Sequence, residues 1–350
     1  MAGQARVAVL IGAAWPDNDA SGPVQSVRQI VARFASDARF ELFARSGAPG
    51  EPPEVAHRTR IAHPWGGITY LDVDRFGARD LRSVLVASRC DRIWLNSVWD
   101  REFTLPTLAW RRFGSALPTP ALLSTRGELS VGALKLHARR KAAMRTFLKA
   151  SGMLSEIRFH ATTSDEARDV ARSFPDHPIL VAGNLRGMPP QEPDVPAQDG
   201  CLRLLYLGRI SPVKGLHNAL AALSRVTVPT RFTVCGPVHD ASYFKKCIEL
   251  LGALPKSIEV DFAGPVSNAE AAGRYAAADL FLNPSASENF GHTIFESLAA
   301  GTPVLTGMAT PWSGLEGDRA GFNVPSEDYA AIAGVIERFA DMSAADRASW

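Results

Sequence analysis

Two carboxylates stand eight positions apart in the segment FLNPSASENFGHTIFESLAAGTPVLT, residues 281–306: Glu288 and Glu296. An apolar run passes into small polar residues, then Glu288-Asn289-Phe290-Gly291, then a helical pattern from about His292 to Ala300. Gly301 stops that helix, and Pro303 precedes another apolar run. A strand, a glycine-containing loop and a helix N-terminus present free N–H groups and a positive dipole end, which suits phosphate. Glu296 falls roughly 7 Å along the helix at ~1.5 Å per residue, where a carboxylate can accept from ribose hydroxyls beside the phosphates. Glu288 lies in the loop itself. A second segment, LLYLGRISPVKGL over 204–216, ends a strand at Gly208, brackets a short loop with Arg209 and Lys214, and opens a helix after Gly215. Two cations just past a strand end suit a diphosphate, Arg with paired donors and Lys as a point charge. Plainer roles compete. Glu288 could complement a helix dipole, and Arg209 and Lys214 could be surface cations. Glu296 has only His292 and Ala300 at i−4 and i+4, so a Glu–Lys helix pair does not account for it.

The elements that position these loops follow from pattern and composition. A chain of 350 residues and 37.7 kDa reads as two domains. With 46% apolar and 21% charged residues it is ordinary globular material, neither disordered nor fibrous. No run nears ~18 apolar residues, so no membrane-spanning helix is expected. The start, MAGQARVAVLIGAAWPD, reads as a first core strand rather than a signal peptide. Cys90, Cys201, Cys235 and Cys247 form no CxxC, which leaves a reducing cytosol as the default compartment and no zinc site. Residues 1–180 carry 25 Lys and Arg against 18 Asp and Glu, whereas 181–350 carry 13 against 18, so a basic half precedes an acidic one. The Pro-rich stretch LRGMPPQEPDVPAQDG, 185–200, reads as a linker between domains at 1–184 and 201–350.

On both sides of that linker, short apolar runs alternate with helical periodicity. The first half offers strands at Arg6–Ile11, Phe40–Phe43, Thr69–Val73, Arg92–Leu95, Ala121–Ser124, His160–Thr163 and Ile179–Val181. Val24, Val27, Ile30, Val31 and Phe34 fall on one helix face. The second half offers Leu202–Gly208, Arg231–Cys235, Ile258–Phe262, Asp279–Asn283 and Val304–Thr306. The expected fold class is α/β, with two doubly wound, Rossmann-like domains whose strand ends face each other across a cleft.

Gly208-Arg209 with Lys214-Gly215, followed by Glu288 and Glu296, resembles glycosyltransferase family 4, and the likeness extends over nearly the whole chain. Ser21-Gly22-Pro23 is similar to that family's N-terminal glycine loop, where many relatives carry a doubled glycine. Asn96-Ser97, the run Ser124 to Leu129, and His160 to Ser164 with Glu166 resemble a bacterial polysaccharide-assembly branch. The resemblance implies a GT-B fold and a retaining transfer, without protein-bound metal or cofactor, from a UDP- or GDP-linked sugar. The implied acceptor is a glycan or lipid-linked saccharide. It also implies a terminal helix that crosses back onto the first domain, and this chain stops at Trp350, short of it. Arg209 and Lys214 would hold the diphosphate, Glu296 the ribose, and Glu288 the transferred sugar, with Arg209, Lys214 and Glu288 as the catalytic set. Asn289, Phe290, Gly291, His292 and Thr293 would line sugar and phosphate. Gly22 would let the first domain's loop approach the donor, since a Cβ would hinder it.

On the acceptor side, Arg126 and Glu128 lie just past a strand end, with pairing to each other as the plainer alternative. His160 is a further candidate, set against a half-buried histidine at a strand start. Ser164 and Glu166 read as a helix start, with Ser164 as its cap. Asp72-Val73-Asp74 has the spacing of a metal motif from another glycosyltransferase fold, yet reads as a solvated turn. Residues 130–155 contain no acid but hold Lys135, Arg139, Arg140, Lys141, Arg145 and Lys149. This is either a solvated helix face or a peripheral contact with an anionic membrane, at the cytoplasmic face where a lipid-linked acceptor would lie. No nucleic-acid motif is present. Two rival readings are a non-catalytic GT-B module serving as scaffold or partner subunit, and a GT-B epimerase, whose acid–base set is not found.

Overall fold

The computed structural model of this chain describes residues 4–185 and 200–350, apart from 17, 19, 20, 115, 116, 118, 119 and 136. The chain divides into two units, Met1–Gly187 and Met188–Trp350. Most of the expected linker, 186–199, lies outside the described residues.

Unit 1 holds β1 (Ala5–Leu10), β2 (Ala38–Arg45), β3 (Arg60–His63), β4 (Gly66–Leu71), β5 (Arg92–Asn96), β6 (Ala121–Ser124), β7 (Ile157–Ala161) and β8 (Ile179–Val181). They form one sheet in the order β3-β4-β2-β1-β5-β6-β7-β8, parallel throughout except for β3 against β4. β4 is buried along its whole length, as befits a strand with covered faces. Helix Gly22–Arg33 sets Val24, Val27 and Val31 against Val9, Leu42 and Ile68 on one face. The other face packs Leu10, Phe43, Leu95, Leu123 and Phe159 beneath Leu81, Leu108, Leu148 and Val170. Ile30 packs against the same core and also borders an open apolar pocket of about 780 Å³, together with Phe34, Trp94, Leu122 and Leu180; Phe34, expected on the same face, is the C-cap residue.

Unit 2 holds β9 (Leu202–Leu207), β10 (Thr230–Cys235), β11 (Ile258–Gly264), β12 (Leu280–Asn283), β13 (Val304–Gly307) and β14 (Gly321–Val324). Its sheet is wholly parallel, in the order β11-β10-β9-β12-β13-β14. Along β9 successive residues serve opposite cores. Leu204 and Tyr206 meet Leu216, Leu220, Ile332 and Phe339, while Leu205 meets Tyr275, Phe281 and Ile294. Each such buried side chain contributes about 1.5–3 kcal/mol, so the strand ends that carry the loops are held from both sides.

Four elements differ from expectation. The strand expected at Thr69–Val73 runs from Gly66 to Leu71, because Asp72 caps and Val73 opens the helix that follows. The strand expected at His160–Thr163 begins at Ile157, because Ile157 and Phe159 pack into the core and Ser124 pairs in register with His160. That leaves Thr163, not Ser164, as the cap of helix Ser164–Ser173, its side chain accepting from Glu166 N. β3 and β14 were not expected. β3 is an exposed antiparallel edge strand bearing Arg60 and His63, and β14 is a four-residue strand opened by a glycine, so neither shows a strong apolar run.

Candidate functional site

In each sheet the chain turns one way and then the other around a central pair, β1/β5 in unit 1 and β9/β12 in unit 2. Ligands of doubly wound sheets bind at the carboxyl ends of such pairs.

In unit 2 the β9 end carries Arg209 and Lys214, and the β12 end carries Glu288. Parallel pairing of β9 with β12 brings these loops together, although 74 positions separate Lys214 from Glu288. Lys214 Nζ lies 2.6 Å from Glu288 Oε1, the carboxylate being 9% and the ammonium 21% exposed. Gly215 makes the close approach possible. Its φ is +70°, and a Cβ there would lie 2.1 Å from Pro284 O. Arg209 is exposed and its guanidinium makes no ion pair among the described residues. Its carbonyl is anchored by Tyr206 Oη at 3.0 Å.

Helix His292–Ala299 starts where the motif places it. Gly291, at φ +77°, occupies the cap position and so offers no side-chain cap of its own. A Cβ at Gly291 would lie 2.9 Å from Ile294 Cδ1 and 3.1 Å from Trp312 Nε1. Trp312 Nε1 donates to Phe290 O at 2.6 Å, and the Trp312 ring packs on Phe290 and Phe295, which holds the loop's shape. Asn289, His292 and Thr293 follow in the same half-buried stretch. Glu296, one and a half turns in, takes a hydrogen bond from Tyr275 Oη at 3.3 Å. A helix start with glycine at its cap, an exposed guanidinium and an ammonium are the kinds of group that bind an anion.

In unit 1, Asn96 ends β5, Ser97 and Asp100 follow it, and Arg126 to Glu128 follow β6. Ser97 at φ +78° and Arg126 at φ +52° are both left-handed non-glycine residues, a conformation that costs on the order of 1–3 kcal/mol each and clusters at functional sites. Arg126 does not pair with Glu128. Its Nη2 and Nε donate to Asn96 Oδ1 at 2.6 and 3.1 Å, and Nη1 donates to Asn184 Oδ1 at 3.3 Å. The guanidinium also lies over Trp94. Burial pulls its pKa down to about 10, against the favourable charges of Glu166 and Glu128. Glu128 accepts from Ser97 Oγ and Val98 N, both at 2.6 Å. Burial nonetheless pushes its carboxyl above the usual range.

His160 is 4% exposed. Its Nδ1 lies 2.7 Å from Ser124 Oγ, its Nε2 lies 2.9 Å from Ala182 O, and Trp94 Nε1 donates to Ser124 Oγ at 2.8 Å. A carbonyl only accepts, so the proton sits on Nε2 and Ser124 donates to Nδ1. Burial lowers its pKa. Glu166 lies in the first turn of helix Ser164–Ser173 and also ties two loops together. Burial works to raise its carboxyl pKa, but hydrogen bonds from Thr125 Oγ1, Thr162 N, Thr162 Oγ1 and Gly127 N outweigh it and hold the group low. The β6 loop is thereby tied to the β7 loop.

Asp72 caps helix Val73–Ser88 through Arg75 N, and Asp74 pairs with Arg45, which also pairs with Glu102. These contacts assign the Asp-Val-Asp motif to capping and an ion pair rather than to a solvated turn. Gly22 opens helix Gly22–Arg33. In helix Ala138–Ala150, Lys141 turns in to donate to Ala133 O at 2.6 Å, while Arg139, Arg140 and Lys149, with Lys135 at the end of the preceding short helix Val131–Lys135, are exposed, and Phe147 is 55% exposed. No helix of the described residues is long and apolar enough to cross a membrane.

Residues 190–350 match the family model described as "Glycosyl transferases group 1". The chain is 30% identical over 359 residues to the D-inositol 3-phosphate glycosyltransferase of Streptomyces scabiei, spanning 92% of this chain and 79% of that protein. Sucrose-phosphate synthase from Thermosynechococcus elongatus superimposes with a TM-score of 0.75 at 18% identity, covering 99% of this chain and 91% of the other. HepE of Anabaena, solved in complex with UDP and glucose, gives 0.66 at 17% identity, covering 98% and 91%. These two structures establish a likeness of fold.

Proposed function

The chain belongs to the glycosyl transferases of group 1, and from that premise we propose that it moves a sugar, with retention and without a bound metal, from a UDP- or GDP-linked donor to a glycan or lipid-linked saccharide of bacterial polysaccharide assembly. That it is a glycosyltransferase with two Rossmann-like units of the GT-B class follows from its relatives and its fold. The observation that carries the finer reading is the meeting of Lys214 and Glu288 at the β9/β12 ends, with Glu288 in the loop that leads to a helix with glycine at its cap.

In this reading Lys214 keeps one donor on Glu288 and turns the others to the diphosphate, with Arg209 closing on it from solvent. Glu296, steadied by Tyr275, receives the ribose hydroxyls, and the backbone from Asn289 to Thr293 meets sugar and phosphate. Arg126 and Glu128 face the acceptor, and His160 braces Ser124 and residue 182 beneath them. The acceptor oxygen forms a bond to the anomeric carbon as the bond to the diphosphate breaks. The diphosphate leaves with the electron pair, and the acceptor's proton passes to a departing phosphate oxygen. Cations and the helix start stabilise the charge that develops. Glu288 and Glu296 do not act as the flanking carboxylate pair of a retaining hydrolase, since they serve opposite ends of the donor. The basic surface from Lys135 to Lys149 provides a peripheral contact with anionic lipid at the cytoplasmic face.

Calorimetric titration of UDP and GDP in EDTA, with Lys214→Ala alongside, tests the donor site. Micromolar binding of one nucleotide that the variant loses supports it. Absence of binding to the unaltered chain refutes it.

A further inference from the structure

Ser285 is completely buried, three residues before Glu288, and its hydroxyl touches the carboxylate that the proposed donor site turns on. Ser285 Oγ lies 2.8 Å from Glu288 Oε1 and 2.9 Å from Asn283 Oδ1. A hydroxyl has one proton, and an ionised carboxylate is the stronger acceptor, so the proton goes to Glu288. Glu288 Oε1 therefore receives two donors, Ser285 Oγ and Lys214 Nζ. The carboxylate cannot turn without losing both, and these two bonds leave Oε2 uncommitted by Lys214 and Ser285.

The backbone under Ser285 is clamped from several sides. Ser326 Oγ donates to Ser285 O at 2.8 Å, and a Cβ at Gly307 would lie 2.4 Å from that same oxygen. Pro284 O accepts from Asn218 Nδ2 at 3.4 Å and lies close over Gly215. Asn283 and Thr306, both buried, bond to each other across β12 and β13, Thr306 Oγ1 donating to Asn283 O at 3.1 Å. The hydroxyl thus stands on fixed ground, whereas Ala286 and Ser287 between it and Glu288 are exposed.

We infer that Ser285 is a positioning residue for the transferred sugar: it pins Glu288 Oε1 so that Oε2 points at the sugar hydroxyls, and it contributes nothing to holding the diphosphate. This rests on the donor reading above. The test is calorimetry with UDP and UDP-glucose, and with GDP and GDP-mannose in parallel. Ser285→Ala is expected to bind the free nucleotide within about twofold of the unaltered chain and the sugar nucleotide about five- to tenfold more weakly, as for the loss of one ordinary hydrogen bond. Ser285→Thr, which keeps the hydroxyl, restores the sugar nucleotide. Ser285→Cys, a near-isostere with a weak donor, gives the same comparison as alanine should the alanine variant fail to fold. On a Glu288→Gln background, Ser285→Ala is expected to cost nothing further, because its effect passes through Glu288. Equal weakening of nucleotide and sugar nucleotide, no weakening of either, or a full additional loss on the Glu288→Gln background overturns the inference. If no nucleotide binds the unaltered chain, or if Glu288→Gln leaves the sugar's contribution intact, the donor reading itself falls and takes the inference with it.

Discussion

Neutralising Glu288 should tighten the binding of free nucleoside diphosphate. Glu288 Oε1 and Lys214 Nζ are 2.6 Å apart, so the ammonium offered to the diphosphate already has a counter-charge. A phosphate oxygen on the far side of the ammonium, at a normal charge-assisted distance of about 2.8 Å, stands roughly 5 Å from the carboxylate. Two like unit charges at ~5 Å repel by about 3 kcal/mol at an effective dielectric of ~20 and by about 0.8 kcal/mol in water. With the pair partly exposed, about 1.4 kcal/mol, or tenfold, is a fair central value. Glu288→Gln keeps the shape and removes the charge, so UDP or GDP, whichever binds, should bind about tenfold more tightly. The gain should shrink as salt rises. Sugar transfer should fall at the same time, since the carboxylate is lost to the sugar. Isothermal titration at low and moderate salt, beside a turnover assay, reads both. Unchanged or weaker nucleotide binding in Glu288→Gln would refute the reasoning, because a phosphate held by Lys214 cannot be indifferent to that charge.

Gly215→Ala places a Cβ against Pro284 O and forces a left-handed residue, so the melting temperature of the variant should drop by several degrees, corresponding to a loss of about 2 kcal/mol or more; an unchanged melt would show that the β9 and β12 loops are not in contact there. His160 is buried as the neutral form with its pKa lowered, so protonation favours the unfolded chain. Its contribution to stability is present above the unfolded value of about 6.5 and is lost as pH falls below that. The melting temperature should therefore fall more steeply from about pH 7 to pH 5 in the unaltered chain than in His160→Gln; parallel curves would count against a neutral His160. Replacing Arg139, Arg140 and Lys149 together by Gln should release the protein from phosphatidylglycerol vesicles in a sedimentation assay, at about 1 kcal/mol per cation, with nucleotide affinity unchanged; equal binding to anionic and neutral vesicles by the unaltered chain would remove the proposed membrane contact.

The two-unit α/β plan was legible because parallel sheets are built from continuous apolar runs. Ala121–Ser124 and Ile179–Val181 fall where their residues alone place them. Elements without such runs are not legible: β3 is an edge strand with polar residues, and β7 starts three residues before its expected beginning because the exposed Arg158 breaks the apolar pattern between Ile157 and Phe159. Lys214, Arg209, Glu288 and Glu296 were nameable from local order alone, since each lies just past a strand or at a helix start. What only the tertiary structure decided is who meets whom. Strand order sets β9 beside β12, and that adjacency turns two separate loops into one ion pair. The same adjacency gives Ser285 a carboxylate to hold, which no spacing could show for a common loop residue. Likewise, the plausible partnership of Arg126 with Glu128 dissolved into bonds with Asn96 and Ser97, because the β5 end lies alongside the β6 end. Local pattern specifies strands, helices and turn residues through short-range sterics and burial; contacts between distant loops depend on sheet order, which a single chain's local periodicity does not encode.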